Sequence, residues 1–255
     1  MMRLFLLLFS LYSLDVYAAT ILKNNFSIAP KVSTIEPCRL YGVGHNLLDK
    51  IQTQTQVDNF KNKYKGCTDF DGVLVISDTS FLPHLAHSTL TPTNNKQSDP
   101  ITNLSGLSQI KKITTIFIQS TALTSLIGLE SLNEIKGFLV IKDNPNLVNL
   151  DELKNLQSIY ELRIIDNDSL SSLVGLDNLQ NLTYLYIKNN AVLRKLEGLS
   201  NITSDPMNQH IILKNNPSLT DCQDICHLST NNLVTLNGNN GLCKQSLEKC
   251  SNIAN

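Results

Sequence analysis

Ile118, Ile141, Ile164 and Ile187 stand 23 residues apart, and this period constrains the chain more than any other feature. A repeat in the range of about 20–50 residues marks stacked units, each burying its apolar face only against its neighbours. Short β-prone runs recur in the same phase: Leu74-Val75-Ile76, Ile116-Phe117-Ile118, Leu139-Val140-Ile141, Leu162-Arg163-Ile164, Leu185-Tyr186-Ile187, Ile211-Ile212-Leu213 and Val234-Thr235-Leu236. Leu213 follows Ile187 by 26 residues, and Leu236 follows 23 later.

Between these runs the apolar residues step by three, as in Leu147, Leu150, Leu153, Leu156 and Ile159, then Leu170, Leu173, Leu176, Leu179 and Leu182. That step drifts off one face of a 3.6-residue helix, so one long helix is excluded. A coil with one short strand per turn satisfies both spacings. An asparagine lies three residues beyond the end of each of the last five runs, at Asn144, Asn167, Asn190, Asn216 and Asn239. A fixed offset of this kind predicts inward amides that bridge the backbones of successive turns. Gly106, Gly128, Gly175 and Gly198 each precede a Leu, which suits a tight corner. The fold class predicted is mainly β, a leucine-rich solenoid roughly 30 Å long at the usual inter-strand spacing.

Such a rod needs capped ends. Asn46 to Tyr64 is predicted as an N-terminal cap helix, with Leu47, Ile51, Phe60 and Tyr64 on its apolar face. The spacing of 42 from Ile76 to Ile118 exceeds one turn, and the surplus, about residues 86–100, is rich in Thr, Asn, Pro and Ser, as an exposed loop insertion should be. Ahead of the solenoid (37–250) come a leader (1–18) and a linker (19–36), and residues 251–255 form a tail.

The leader reads as a signal peptide: Arg3, the apolar stretch Leu4 to Leu14, and Val16-Tyr17-Ala18 before the cut. The stretch is too short for a bilayer, which takes about 20 residues. The polar end from Glu248 to Asn255 carries no lipid-anchor signal, so the mature chain is expected to be released without membrane insertion. Six cysteines fit an oxidising compartment. Asn25, Asn103, Asn181 and Asn201 head sequons expected to carry glycans, whereas Asn167 heads one that its inward position should keep unmodified. A net charge of −1 with no block of like charges argues against nucleic acid as a partner. Among the last four cysteines, Cys222, Cys226, Cys243 and Cys250, three pairings are open. Cys222 stands where the repeat would place Leu and should face the core.

The opening Cys38-Arg39-Leu40-Tyr41-Gly42-Val43-Gly44-His45-Asn46-Leu47, followed after a spacer by Gly66-Cys67-Thr68-Asp69-Phe70-Asp71-Gly72-Val73-Leu74-Val75-Ile76, resembles the start of receptor L domains. These occur in the insulin and epidermal growth factor receptors. Gly137-Phe138-Leu139-Val140-Ile141 with Asn144-Pro145-Asn146-Leu147, and Asn216-Pro217-Ser218-Leu219, are similar to that family's rung-and-turn pattern. The likeness covers about residues 37–250. It implies a right-handed β-helix and recognition of extracellular ligands. It also implies a Cys38–Cys67 disulfide tying the cap to the first rung, and Cys243–Cys250, which would leave Cys222 with Cys226. The receptors carry two such domains, a cysteine-rich module, a membrane span and a kinase; this sequence has one L-like region and none of the rest.

No nucleophile elbow, phosphate loop or zinc-protease motif is present, and carboxylates are scattered singly, so an enzyme is not expected. Neither a cofactor nor a metal is predicted; His84 and His87 lie at the start of the insertion without a carboxylate pair. Strand alternation instead selects an outward column. If Ile116/Ile118 and their equivalents point in, then Phe117, Phe138, Val140, Glu161, Arg163, Tyr184, Tyr186, His210 and Ile212 point out. Aromatics and Arg dominate interface hot spots, so this column is the predicted ligand-binding surface for an extracellular protein or glycan, as in a decoy or co-receptor. A bland alternative has the insertion or a second copy, as a homodimer, covering it. A structural or adhesive role in matrix, wall or cuticle is the competing function; tandem copies, a basic tail or tyrosine clusters would favour it, and none is present.

Overall fold

The architecture follows from the repeat. In a computed structural model, which describes residues 38–40, 48–78, 99–203, 210–229 and 233–251, nine strands form one parallel sheet. They are β1 (Cys38–Arg39), β2 (Leu48–Ile51), β3 (Asp69–Ser77), β4 (Lys112–Gln119), β5 (Glu134–Lys142), β6 (Ser158–Ile165), β7 (Asn181–Lys188), β8 (His210–Lys214) and β9 (Leu233–Asn237). From β3 to β9 each strand pairs with the next in sequence, and β1 and β2 share the other edge of β3. One strand per repeat in consecutive order is a solenoid-like β fold. The leader, the linker, Asn25, His84, His87 and the insertion up to residue 98 lie outside the described residues.

Register stacks equivalent core residues: Leu139 on Leu162 on Leu185, and Ile141 on Ile164 on Ile187. The three-residue steps between strands point Leu170, Leu173, Leu176 and Leu179 into the same core, all fully buried. Burying one such side chain contributes about 1.5–3 kcal/mol relative to leaving it in water.

The asparagine ladder is present as drawn from the sequence. Asn144, Asn167, Asn190 and Asn216 have no exposed surface. Each Oδ1 accepts from the backbone N–H one rung earlier: Asn144 from Thr121 (3.2 Å), Asn167 from Asn144 (3.1 Å), Asn190 from Asn167 (3.2 Å) and Asn216 from Asn190 (3.0 Å). Each Nδ2 donates to a strand carbonyl of the earlier rung, as from Asn167 to Ile141 at 3.0 Å. The residue before each ladder position is left-handed: Ser120, Asp143, Asp166, Asn189 and Asn215 have φ of 52–57°. Ser, Asp and Asn there fit the tolerance of short polar side chains for that conformation.

The helix within the span 46–64 is shorter than the sequence suggested. Helix α1 covers Gln54–Lys63, and Leu48–Ile51 is strand β2 rather than its first turns. A capping box fixes the start: Thr53 Oγ1 accepts from the Gln56 N–H at 3.2 Å while Gln56 Oε1 accepts from the Thr53 N–H. Val57 and Phe60 are buried, and Phe60 packs on Tyr64 and Phe70 at ring centroids of 4.7 and 5.5 Å. At the other end, helices α2 (Cys226–Ser229) and α3 (Gly241–Ser251) follow β8 and β9.

Cys38 is joined to Cys67. The C-terminal pairing differs from the one implied by the resemblance: the bonds are Cys222–Cys243 and Cys226–Cys250. Cys243 and Cys250 sit on the same helix α3, seven residues apart, and a rise of about 10 Å between them exceeds what a disulfide spans. The observed bonds instead fasten α3 to the last turn, with Cys222 and Cys243 fully buried.

Candidate functional site

The outer face of the sheet carries two columns of side chains in register. One runs Val75, Phe117, Val140, Arg163, Tyr186, Ile212 and Thr235; the other runs from Phe138 through Glu161 and Tyr184 to His210. All nine residues predicted for the face therefore lie on it, but they do not form one exposed surface.

Toward β3 the face is closed. Val73, Phe117 and Val140 form an apolar cluster separate from the main core, with Leu48, Val75 and Phe138 packed against it. Phe117 is 6 % exposed and Val140 2 %, so neither presents a contact surface, contrary to the expectation. Adjacent bulky side chains in one column close over each other's flanks. Glu161 is withdrawn from the surface for a different reason: it is 7 % exposed, set between Phe138 and Tyr184, and its Oε1 accepts from Arg163 Nε. Burial pushes the Glu161 carboxyl above the usual carboxylate range, and the Arg163 charge opposes that shift.

Toward β8 the face opens. Phe138, Arg163, Tyr184, Tyr186, His210 and Ile212 are half-buried. A row of rings crosses the strands: Phe138 to Tyr160 at 6.2 Å, Tyr160 to Tyr184 at 5.3 Å, and Tyr184 stacked on His210 at 4.9 Å. In the neighbouring column Arg163 lies 6.0 Å from the Tyr186 ring centre. Burial raises the Tyr186 hydroxyl pKa, Arg163 counteracts this, and Asp166 adds to it.

Tyr160, 44 % exposed, is the member that strict alternation missed. Ile159 and Leu162 both face the core, so two residues between them, Tyr160 and Glu161, must point out. The signal was available in the three-residue step, which runs into the strand before alternation begins. In β5 the same place holds an extra residue at Gly137, and the register shifts there.

The remaining predicted sites fall as follows. Asn181 is exposed at the start of β7. Asn201 is exposed, but its Nδ2 donates to the Asp177 carbonyl at 2.7 Å. Asn103 is half-buried, and its Oδ1 accepts from the Ser105 N–H at 3.1 Å. Among the described residues no three His, Cys, Asp or Glu side chains are grouped to hold a metal ion. No helix there is long and apolar enough to cross a membrane. No family model matches the chain, and no curated protein or solved structure matches it either.

Proposed function

We propose that the chain is a secreted, glycosylated, non-enzymatic recognition module that binds an extracellular protein or glycan through the open half of its strand face. The observation that carries this reading is the ring row from Phe138 through Tyr160 and Tyr184 to His210, beside Arg163 and Tyr186. Large amphipathic rings and Arg supply contact area at low entropic cost, and they concentrate here in a chain without Trp. The three disulfides agree with an oxidising compartment. In this reading the fold is a right-handed L-domain-type β-helix, helix α1 is its N-terminal cap, and the face acts as a decoy or co-receptor surface.

Substitution of Tyr186→Ala and, separately, Arg163→Glu tests the reading. Each is expected to weaken capture of ligand from the organism's extracellular fluid by tenfold or more, about 1.4 kcal/mol. Tyr186→Ala should leave the melting temperature within about 2 °C, since the ring lies outside the main core. Arg163→Glu also removes a cation from buried Glu161, so its melting temperature should fall further. Unchanged capture in both variants would remove the face from consideration.

A further inference from the structure

The strand ends of successive rungs place Lys142, Ile165, Lys188 and Lys214 in one line across the sheet. Each is followed by a left-handed residue: Asp143, Asp166, Asn189 and Asn215 respectively. In the earlier rungs charge is answered locally. Lys142 Nζ lies 3.4 Å from Asp143, and Asp166 Oδ1 accepts from Asn189 Nδ2 at 2.7 Å. In the rungs of β7 and β8 asparagine stands where aspartate stood. Lys188 and Lys214 then face each other in direct register, and among the described residues neither has a carboxylate in ion-pair reach. Like charges directly opposite on paired strands repel, and a half-buried pair gains by taking an anion from outside.

Two residues back along the same strands come Tyr186 and Ile212, and two further back the stacked pair Tyr184 and His210. We propose that this end of the face docks an acidic segment of a partner protein. Carboxylates would sit over Lys188 and Lys214, and an apolar or aromatic side chain on Tyr186 and Ile212. The inference rests on the strand-face reading and names its partner class. A sulfated polysaccharide fits less well. Its recognition needs a continued track of cations, whereas these two lysines border an apolar and aromatic surface. The nearest further cation in the outer column, Arg163, is already paired with Glu161.

The test is a random peptide library panned on the purified full chain, with a heparin-derived oligosaccharide assayed in parallel. Enriched peptides should combine at least two Asp or Glu with an aromatic residue. Their binding, read by fluorescence anisotropy, should weaken at least about tenfold in K188E/K214E and fall with rising salt. K188Q/K214Q removes the charges without reversing them, and keeps the test intact if the first variant folds poorly. Enriched peptides lacking acidic residues, no enrichment, or binding of the oligosaccharide alone would each overturn the proposal. If selected peptides lose binding to Tyr186→Ala yet keep it in K188Q/K214Q, the strand-face reading stands and the acidic partner falls. If they keep binding to both, both fall.

Discussion

Replacing Asn167 with alanine is expected to lower the unfolding free energy by about 2–4 kcal/mol, read from the shift of the urea midpoint at unchanged slope. The amide is fully buried, and its removal takes away three backbone partners at once. The Asn144 N–H loses its acceptor, and the Ile141 and Ile165 carbonyls each lose a donor at 3.0 Å. The Ile165 carbonyl retains the Asp143 N–H, which holds the figure below a full three-bond loss. Two controls separate the ladder from other effects. Ser169→Ala destroys the same sequon without touching the ladder. Asn155→Ala removes a comparable rung-to-rung bond, Nδ2 to the Glu130 carbonyl at 2.6 Å, from an exposed position, and should cost under about 1 kcal/mol.

Gly175→Ala should be at least as damaging, at roughly 3–5 kcal/mol, with loss of folding as its extreme. At φ +104° the backbone lies where side chains rarely go, and a Cβ would stand 2.0 Å from the Leu150 carbonyl oxygen of the rung below. That neighbour is backbone, so relief means parting two stacked rungs across a close-packed core. Gly241→Ala meets nothing within 4 Å and opens helix α3, so it should be neutral or stabilising by a few tenths of a kcal/mol. Parallel chemical melts of the two variants make the comparison.

Both effects were legible because they repeat. An inward Asn recurs at a fixed offset from five strands and a corner Gly in four of the turns, and only stacking explains the recurrence. Features that occur once were harder to read. Ile51 fits a helix face as well as a strand, and the choice was made by pairing of Leu48–Ile51 with Val73–Ile76 of β3, a long-range event. The C-terminal disulfides depended on α3, where Cys243 and Cys250 are held apart by helical rise. On the outer face, alternation gave the direction of Phe117, Val140 and Glu161 but not their exposure. Exposure is decided by neighbours in register, and those belong to other rungs.

The central functional claim is that ligand is held on the open half of this face. Hydroxyl-radical footprinting of the full chain, alone and in the extracellular fluid that supplies its ligand, tests it most directly. Tyr160, Tyr184, Tyr186 and His210 are oxidisable and at least partly exposed, whereas Tyr64, 8 % exposed under the first rungs, serves as an internal reference. The predicted result is reduced oxidation at the four face residues and none at Tyr64. Unchanged oxidation of all four, with protection elsewhere on the chain, would contradict the account.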